Sequence, residues 1–309
     1  LPKADVVIST SPQFFNGLAG YFVSRIKRAR WLLEIRDLWP ESIIAVGAIS
    51  NKHAIAFLEW IERFVYRKAE HIVPVTYAFK SHIIDRGGAE NKITVIRNGV
   101  DLTLFDAALR DDVQAAQSAA KVLDVDLNGK FVASYVGTHG MAHGLDVILD
   151  AAEILRDHSD IVFLMVGDGA ERQHLLAEVE RRSLSNVVML GQQAKATMPV
   201  IWSLTDLSLV LLKRLDLFKT VIPSKIFESM AMSTPIVLGV EGEVKEIIEA
   251  SGAGVCITPE AAEELAQAVL SLKNNADLYS QRASSGRAYV ALEFDSKTLA
   301  DQYLGVIES

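Results

Sequence analysis

The sequence contains a single cysteine, Cys256, in 309 residues, and aromatic residues make up only 7% of the chain. One cysteine excludes a disulfide bond within the chain and is typical of a reducing compartment such as the cytoplasm. Because Cys256 lies in an apolar stretch, we expect a buried thiol. The chain also lacks an apolar run of the about 18 residues that a membrane-spanning helix needs, and it has no recognisable signal peptide.

The chain also has fewer basic residues than acidic ones. The chain has 31 lysines and arginines against 39 aspartates and glutamates, and its formal net charge is −8. This balance argues against nucleic acid as a general partner. Half of the residues are hydrophobic, as in an ordinary globular protein, and the length allows two domains.

Short apolar segments alternate with helical patterns along the whole chain, which predicts an α/β protein with parallel sheets covered on both faces. The predicted strands are 5–10, 31–36, 71–76, 93–97, 131–137, 161–166, 186–190, 206–212, 235–239 and 254–257. The predicted helices include 12–28, 53–69, 145–157, 170–183, 243–250 and 260–273. A charged, alanine-rich stretch between Asp101 and Lys130 separates the two halves.

The stretch from Lys219 to Pro235 reads as a polar loop followed by a short helix. We expect Pro223 and Lys225 in the first helical turn and Glu228 one turn further on. A helix N-terminus beside a lysine is suited to a phosphate, and a carboxylate one turn away can bind sugar or ribose hydroxyls. The alternative interpretation is an ordinary amphipathic helix after a proline turn.

A second pattern is an apolar strand, 131–137, followed by a glycine-bearing loop and a helix. This arrangement brings backbone N–H groups close to a diphosphate. Other polar groups follow predicted strands in the same way, and the carboxyl ends of parallel strands are where ligands bind. They are Arg36-Asp37, Gly167-Asp168-Gly169, Gly191-Gln192 and Lys213-Arg214.

These segments carry a resemblance to a known family. Pro223-Ser-Lys-x-x-Glu-x-Met-Ala231, followed by a proline and a strand, resembles the donor-binding helix of family 4 glycosyltransferases. The segment Arg36-Asp-Leu-Trp-Pro-Glu41 is similar to one found in the bacterial O-antigen and capsule enzymes of that family. The loop from Gly137 to Gly144 resembles the loop that opens the donor domain, where many members carry Arg and Lys at the positions of Thr138 and His143.

The resemblance implies the GT-B architecture, in which two doubly wound Rossmann-like domains face a cleft. It begins in the middle of the family's first domain, so we expect that domain to be incomplete, without its N-terminal part. The expected division is an acceptor-side domain at 1–101, a linker at 102–130, and a donor-binding domain at 131–292. A C-terminal helix within 293–309 is expected to pack back on the first domain.

By the same resemblance, the chain is a retaining glycosyltransferase that needs neither cofactor nor metal. It would transfer a sugar from a nucleotide donor, UDP-sugar, to a polyprenyl-diphosphate-linked saccharide in surface polysaccharide synthesis, at the inner face of the cytoplasmic membrane. The implied catalytic residues are Arg36, Asp37, Lys225 and Glu228. The implied donor-binding residues are Gly137, Thr138, His139, Gly140, His143, Gly167, Asp168, Gln192, Pro223, Ser224, Lys225 and Glu228.

Two other functions stay open: an epimerase of the same fold that acts on a UDP-sugar, and a catalytically silent subunit that binds a nucleotide sugar. The family's usual second glutamate, eight positions before Glu228, is Thr220 here. The Asp124-Val-Asp126 triplet spells the D-x-D of metal-dependent transferases, but it lies in the polar linker, so we interpret it as a turn. His139 and His143 are separated by loop residues and have no carboxylate nearby in sequence, so we predict no zinc site.

Two segments raise the question of peripheral membrane contact. Arg25, Lys27, Arg28 and Arg30 form a basic cluster at the end of the first predicted helix. Such a cluster is usually a solvated face, although it can also bind anionic lipid. The predicted helix 53–69 carries Phe57, Trp60, Phe64 and Tyr66, whose spacing favours a core stripe.

Overall fold

The computed structural model describes residues 3–45, 47–110 and 125–309. The chain forms two compact α/β units. The first unit comprises Leu1–Asn98, Leu215–Ile222 and Lys297–Ser309, and the second comprises Gly99–Arg214 and Pro223–Ser296.

The first unit is built on three parallel strands in the order β1-β2-β3. They are β1 (Val6–Thr10), β2 (Arg30–Ile35) and β3 (His71–Pro74). The helices between and after them are α1 (Phe14–Lys27), α2 (Glu41–Ala45), α3 (Lys52–Lys68) and α4 (Tyr77–Asp85). The core of this unit buries Leu33, Val65 and Phe79 together, which joins the sheet to the helices.

The second unit has six parallel strands in the order β6-β5-β4-β7-β8-β9. The strands are β4 (Phe131–Val136), β5 (Ile161–Val166), β6 (Val187–Leu190), β7 (Leu207–Leu211), β8 (Ile236–Gly239) and β9 (Gly254–Cys256). The helices are α5 (Asp146–Ile154), α6 (Arg172–Arg182), α7 (Met198–Ser203), α8 (Lys225–Ala231), α9 (Glu243–Ser251), α10 (Ala262–Asn274) and α11 (Ala276–Glu293). Strands β5 and β7 are buried along their whole length, as the apolar segments predict.

The last helix, α12 (Ser296–Glu308), packs on the sheet of the first unit. Its Val306 is buried against Leu32 and Val73 of β2 and β3. The Arg30 side chain donates a hydrogen bond of 3.0 Å to the carbonyl of Ile307, which ties the end of the helix to the start of β2. No helix in the described part of the chain is long and apolar enough to cross a membrane.

The predicted parallel α/β class is confirmed, and the predicted strands are present with ends that differ by one or two residues, except for 93–97. That segment forms only an isolated bridge between Ile93 and Ile72. The amides of Thr94 and Ile96 donate to the carbonyls of Ile72 and Pro74, both at 3.1 Å. Because proline has no N–H, Pro74 cannot donate back, and the ladder stays incomplete.

Cys256 departs from its prediction as well. It lies at the end of β9, an edge strand of the larger sheet, and it is half-buried instead of fully buried. Burial is still sufficient to raise the pKa of its thiol. A strand with a neighbour on one side only leaves its end residues partly open, which the apolar sequence around Cys256 does not reveal.

Candidate functional site

The loops that follow β4 and β5 are joined by backbone hydrogen bonds. The Gly137 amide donates to the Val166 carbonyl at 2.9 Å, and the His139 amide donates to the Asp168 carbonyl at 2.8 Å. Gly167 makes this approach possible: it has φ +147°, and a Cβ there would lie 1.8 Å from the Gly137 carbonyl oxygen. The two loops therefore form one rigid ledge at the carboxyl end of the sheet.

This ledge uses some of the amides that were expected to bind a diphosphate. The amides of Gly137 and His139 already donate within it, and the His143 amide donates to the Gly140 carbonyl at 3.0 Å. By contrast, the amides of Thr138 and Gly140 have no acceptor in residues 125–309. The loop can thus offer only a part of its backbone donors to a ligand.

Lys225, the first residue of α8, points its ammonium group at this ledge. Its Nζ is buried without a hydrogen-bond acceptor in the described residues. It lies 3.7 Å from the centroid of the Tyr135 ring, and a Cβ at Gly137 would be 2.9 Å from it. Burial lowers the pKa of Lys225 to about 7, with Glu228 opposing the shift. The lysine is therefore not fully charged at neutral pH, contrary to the ordinary behaviour of this side chain.

Two further basic side chains near Lys225 also lack acceptors. His139 is fully buried, and neither of its ring nitrogens has a partner among the described residues. The Nε of Arg172, at the start of α6, is likewise buried without an acceptor there. Burial and the positive charges of Arg172 and Lys225 lower the pKa of His139 to about 4. Buried donors without acceptors destabilise a fold, so their convergence indicates a site for an anion.

Thr138 and His143 stand where related loops carry cations, but neither supplies charge here. Burial and the nearby Lys225 lower the pKa of His143 to about 4, so its ring is neutral at pH 7. The Thr138 side chain is exposed, and its carbonyl accepts a hydrogen bond of 2.8 Å from the Tyr135 hydroxyl. Lys225 and Arg172 are consequently the cations whose buried nitrogens lack an acceptor among the described residues at the ledge.

The carboxylate of Glu228 is held by a residue that sequence patterns did not single out. Its Oε2 accepts a hydrogen bond of 2.8 Å from the indole Nε1 of Trp202, a fully buried side chain on α7. Burial raises the pKa of Glu228, while Trp202 and Lys225 oppose the shift. Tyr135, Arg172 and Trp202 all belong to this site, and only their position in the folded chain reveals it.

Pro223 and Ser224 lie just before α8, because the helix begins at Lys225. Pro223 is therefore outside the first helical turn where it was expected, and its carbonyl accepts from the Ile226 amide at 3.2 Å. Asp168 does not cap the helix that follows it. Its carboxylate accepts from the Gly169 amide at 2.8 Å, and α6 starts only at Arg172.

Gln192 is exposed in the loop that follows β6. This loop borders the same group of residues, since a Cβ at Gly191 would lie 3.9 Å from an Nη atom of Arg172. Thus the predicted donor-binding residues after β4, β5 and β6 and at α8 all lie in the second unit.

Arg36 and Asp37 lie in the first unit, in the loop that follows β2. Arg36 has two partners, Glu34 at 3.2 Å and the side-chain oxygen of Asn98 at 2.7 Å. Asp37 is half-buried, and its backbone amide donates to the Ser11 hydroxyl at 3.1 Å. Burial raises the pKa of the Asp37 carboxyl, and the nearby Ser42 side chain opposes this. A carboxyl group with a raised pKa suits proton exchange with a hydroxyl.

The glutamate of the same motif, Glu41, is engaged in an ionic network between α2, α3 and α4. Glu41 pairs with Arg86, and His82 lies 2.8 Å from the buried Glu62 and 3.5 Å from Glu41. The oxygen and nitrogen atoms of Glu41, Glu62 and His82 lie within 4.8 Å of one another, a spacing that also suits a metal ion. Arg86 contacts Glu59 as well, at 3.3 Å, so a guanidinium already offsets part of the negative charge of this cluster.

Two further positions that the sequence analysis names, Asp126 and Thr220, make local hydrogen bonds. Asp124 of the D-x-D triplet lies outside the described residues, and Asp126 accepts from the Asn128 amide at 3.2 Å, as in a turn. Thr220, which replaces the family's second glutamate, lies in the first unit and donates its hydroxyl to the Leu217 carbonyl at 2.6 Å.

Comparison with known proteins defines the class. The fold is similar to that of HepE of Anabaena in its crystal structure with UDP and glucose. The match covers 99% of this chain and 78% of the HepE chain, with a TM-score of 0.79 and 20% sequence identity. The chain therefore has the GT-B fold of glycosyltransferases, with two parallel-sheet Rossmann-like units, of which the first has a three-stranded sheet. This confirms the expected fold.

Sequence comparison agrees with the fold. The model of the family Glycosyl transferases group 1 matches residues 124–289, and that of the Glycosyl transferase 4-like domain matches residues 1–99. The chain belongs to the group 1 family and is a glycosyltransferase.

Two curated relatives are more specific. The putative colanic acid biosynthesis glycosyl transferase WcaI of Escherichia coli is 25% identical, over 99% of this chain and 74% of the relative. The alpha-D-kanosaminyltransferase of Streptomyces kanamyceticus is 26% identical, over 80% of this chain and 62% of that relative.

Proposed function

We propose that this glycosyltransferase moves a hexosyl or N-acetylhexosaminyl group, with retention of configuration, from a UDP-sugar to a lipid-linked saccharide during synthesis of a surface polysaccharide such as O-antigen or capsule. The proposed acceptor is carried on polyprenyl diphosphate at the inner face of the cytoplasmic membrane. The relation to an enzyme of colanic acid biosynthesis supports the pathway class, and the UDP complexes of HepE support the donor.

The observation that carries this proposal is the group of acceptor-free nitrogens around the β4–β5 ledge. Lys225, His139 and Arg172 present buried basic groups for which the described residues supply no anion. A diphosphate would provide the missing acceptors. Its charge would also raise the pKa of Lys225 from about 7 and hold the ammonium in its protonated form.

The chemistry follows from where charge develops. When the bond between the sugar and the diphosphate breaks, negative charge grows on the leaving phosphate. A preorganised ammonium in a dry site stabilises that charge more strongly in the transition state than in the ground state. Lys225 takes this role in the mechanism, the free amides of Thr138 and Gly140 assist it, and no metal ion is needed.

Glu228 would orient the donor. Trp202 holds one carboxylate oxygen at 2.8 Å, which leaves the other oxygen to accept hydrogen bonds from ribose hydroxyls. The exposed Gln192, in the loop after β6, would contact the base. Thr220 cannot replace the carboxylate that related enzymes use on the donor sugar, so backbone donors near Pro223 and Ser224 would bind it instead.

Asp37 and Arg36 would serve the acceptor. The half-buried Asp37 carboxyl, whose pKa burial raises, would bind and orient an acceptor hydroxyl whose proton passes to the leaving phosphate. No serine or cysteine side chain in the described part of the second unit is hydrogen-bonded to a histidine or lysine side chain, as an activated nucleophile would be. Retention then follows from attack on the face that the phosphate leaves, with the phosphate oxygen assisting deprotonation.

The test combines binding with product analysis. Thermal unfolding is measured with a panel of nucleotides and UDP-sugars; a ligand at 100 times its dissociation constant should add about 2.7 kcal/mol of stability. We expect UDP to stabilise the chain and GDP, ADP and CMP to have little effect. Incubation of the stabilising UDP-sugar with a polyprenyl-diphosphate-linked sugar should then give an α-configured product from an α-configured donor.

Two results would contradict the proposal in different ways. Conversion of the UDP-sugar to its epimer without acceptor would identify an epimerase. Tight UDP binding without any turnover of donor, in the presence of a panel of lipid-linked acceptors, would identify a silent nucleotide-sugar-binding subunit.

A further inference from the structure

Two exposed cations, Lys213 and Arg214, follow β7 at the carboxyl end of the larger sheet. Their side chains make no hydrogen bond or ion pair with any residue in the ranges 3–45, 47–110 and 125–309. Strand β7 lies next to β4, and the ledge begins where β4 ends. The two cations therefore lie at the edge of the sheet that carries the ledge, and they are available to a ligand.

The backbone at Lys213 is fixed to the ledge. The Lys213 amide donates to the Ala142 carbonyl at 2.9 Å. The stem of Lys213 packs on Gly144, where a Cβ would lie only 3.2 Å from the Lys213 Cγ. Gly144 also has φ +59°, so both its conformation and its contact favour a residue without a side chain. The start of the Lys213 side chain is thus held against the ledge, while the flexible stem lets the ammonium group reach an anion.

Glu260, in the loop after β9, holds the same turn from the other side. Its Oε2 accepts a hydrogen bond of 3.0 Å from the Arg214 amide, and its Oε1 would lie 3.7 Å from a Cβ at Gly144. Glu260 has φ +65°, a left-handed conformation that is uncommon outside glycine. Strain of this kind persists where the surrounding contacts require it, and it is concentrated at functional sites. Glu260 therefore joins the loops after β9, β7 and β4 at the point from which Lys213 projects.

Lys213 and Lys225 lie at opposite ends of one short loop. A Cβ at Gly137, where the loop begins, would lie 2.9 Å from the Lys225 Nζ. Gly144, where the loop ends, is the residue on which the Lys213 stem packs. A diphosphate bound along this loop would have a lysine at either end.

The charge of a nucleotide-sugar donor changes during transfer, and the buried cations match only its initial value. Each phosphate of a UDP-sugar carries one negative charge, which Arg172 and a protonated Lys225 can balance. His139 and His143 have pKa values of about 4, so neither ring adds positive charge at neutral pH.

Transfer adds negative charge to the terminal phosphate. The bond between sugar carbon C1 and the phosphate oxygen breaks, and its electron pair stays on that oxygen. The acceptor oxygen bonds to C1, and its proton passes to the leaving phosphate and then to water, because the second ionisation of a phosphate monoester has a pKa of about 6. A further cation beside the loop would stabilise this added charge.

We propose that Lys213 is this cation and that its ammonium group binds the terminal phosphate as the sugar departs. Glu260 is a positioning residue, which holds the turn at Lys213 and Arg214 against Gly144. The inference rests on the proposed function, in which the donor is a UDP-sugar. Lys213 acts on the charge that appears during transfer, whereas Lys225 also binds the diphosphate of the intact donor.

The experiment compares two probes that differ by this one charge: UDP, and UDP esterified with methanol on its terminal phosphate. Isothermal titration of the whole chain at pH 8, where the terminal phosphate of UDP is almost fully ionised, measures both affinities. In Lys213→Gln, the affinity for UDP should fall about 10–100-fold, as expected for loss of one hydrogen bond to a charged group. The affinity for the methyl ester should fall only about 3-fold, because the ester lacks the added charge. Lys213→Arg keeps the charge and should retain most of the preference for UDP.

A matched control removes one charge elsewhere in the second unit. Arg181 lies near the end of α6 that is remote from Arg172, and its side chain is exposed. Arg181→Gln should bind both probes as the wild type does. Thermal unfolding of each variant shows that it is folded.

The role of Glu260 is tested by a double-mutant cycle. Glu260→Ala should weaken UDP binding less than Lys213→Gln does. It should have no further effect in a chain that already carries Lys213→Gln, because Glu260 acts through Lys213. Glu260→Gln keeps an oxygen that can accept from the Arg214 amide, so it should retain at least the wild-type affinity for UDP. A merely structural role would lower the affinity for both probes and add to the effect of Lys213→Gln.

Two results would overturn the inference and leave the proposed function intact, both in a wild-type chain that binds UDP. The first is an equal loss of affinity for UDP and for its methyl ester in Lys213→Gln. The second is a UDP affinity in Lys213→Gln that equals the affinity in Arg181→Gln. A folded wild-type chain that binds neither probe would overturn the proposed function, and the inference with it.

Discussion

The charged side chains of the two units differ in whether they have hydrogen-bond or ion-pair partners. In the second unit, Lys225 and Arg172 point buried nitrogens into the site without an acceptor among the described residues. In the first unit, Arg36 is bound to Glu34 and Asn98, and Arg86 to Glu41 and Glu59. Of these four cations, the two in the second unit lack an acceptor among the described residues, and the two in the first unit are paired.

Whether a cation is paired indicates whether it binds a ligand or stabilises the fold. An unpaired buried cation lowers the stability of the free protein, and it is tolerable where a ligand supplies the opposite charge. A paired cation such as Arg86 stabilises the structure around it and has little left to offer a ligand. We thus assign Lys225, whose ammonium group is buried, to function and the half-buried Arg86 to stability.

The largest expected effect comes from Lys225→Met, which keeps the volume and removes the charge. Transfer from the UDP-sugar should fall about 10²–10³-fold, because one preorganised stabiliser of the leaving phosphate is lost. Unfolding in the absence of ligand should be unchanged or need a higher temperature. His143→Ala is the matched control in the same ledge; since His143 is neutral at pH 7, its activity should fall far less. Equal losses in both variants would contradict the assignment.

Removal of a cation from the first unit should lower the stability of the chain and leave UDP affinity unchanged. Arg86→Met leaves Glu41 and the buried Glu62 without their guanidinium, and breaking a buried ion pair from one side costs about 3–5 kcal/mol. Urea unfolding monitored by circular dichroism measures this loss. Arg181→Met, which removes an exposed pair with Glu178, should cost less than about 1 kcal/mol. UDP affinity of the folded Arg86 variant should match the wild type.

A pH dependence of stability sharpens the comparison further. The pKa of Lys225 is about 7 in the folded chain, against 10.5 for an exposed lysine. Between these values the unfolded chain binds more protons than the folded one, so the free energy of unfolding rises with pH in that window. From pH 7 to pH 9, the wild type should gain about 2 kcal/mol relative to Lys225→Met. A constant difference between the two proteins would mean that Lys225 keeps its ordinary pKa.

The smallest expected effect concerns Trp202, whose part in the site is the hydrogen bond that it donates to Glu228. Trp202→Phe removes the hydrogen bond but keeps an aromatic ring in the core. Loss of a hydrogen bond to a charged group is worth about 1.5–3 kcal/mol, and part of it should appear as a roughly 10-fold higher KM for the donor. The kcat should change less, because Trp202 does not contact the reacting atoms. A kcat loss without a KM change would show that Glu228 does more than orient the donor.

Much of this fold was predictable from the sequence, because apolar strands such as 161–166 and 207–211 are buried on both faces and read as continuous apolar runs. The predicted strand at 93–97 does not form, because the adjacent strand β3 cannot supply all of its hydrogen bonds. Pro74 of β3 lacks the N–H that would complete the ladder. A property of the adjacent strand is not visible in the segment itself.

The site was predictable only where its residues are close in the sequence. Lys225 and Glu228 belong to one short helix, and the ledge after β4 is one continuous loop. Trp202 and Arg172 join them from other helices, and their roles depend on tertiary contacts. The burial of the aromatic residues of α3 was not predictable for the same reason. Tyr66 and Trp60 both fit a helical stripe, but only the tertiary fold determines that Tyr66 is buried and Trp60 is exposed.

The most direct test of the central claim is proton uptake on UDP binding. Isothermal titration at pH 8, in buffers of different ionisation enthalpy, gives the number of protons taken up. At this pH Lys225, with a pKa of about 7, is mostly neutral in the free protein, and a bound diphosphate should protonate it. The account predicts uptake of nearly one proton by the wild type and none by Lys225→Met. UDP binding without proton uptake by the wild type, or with the same uptake by the variant, would contradict it.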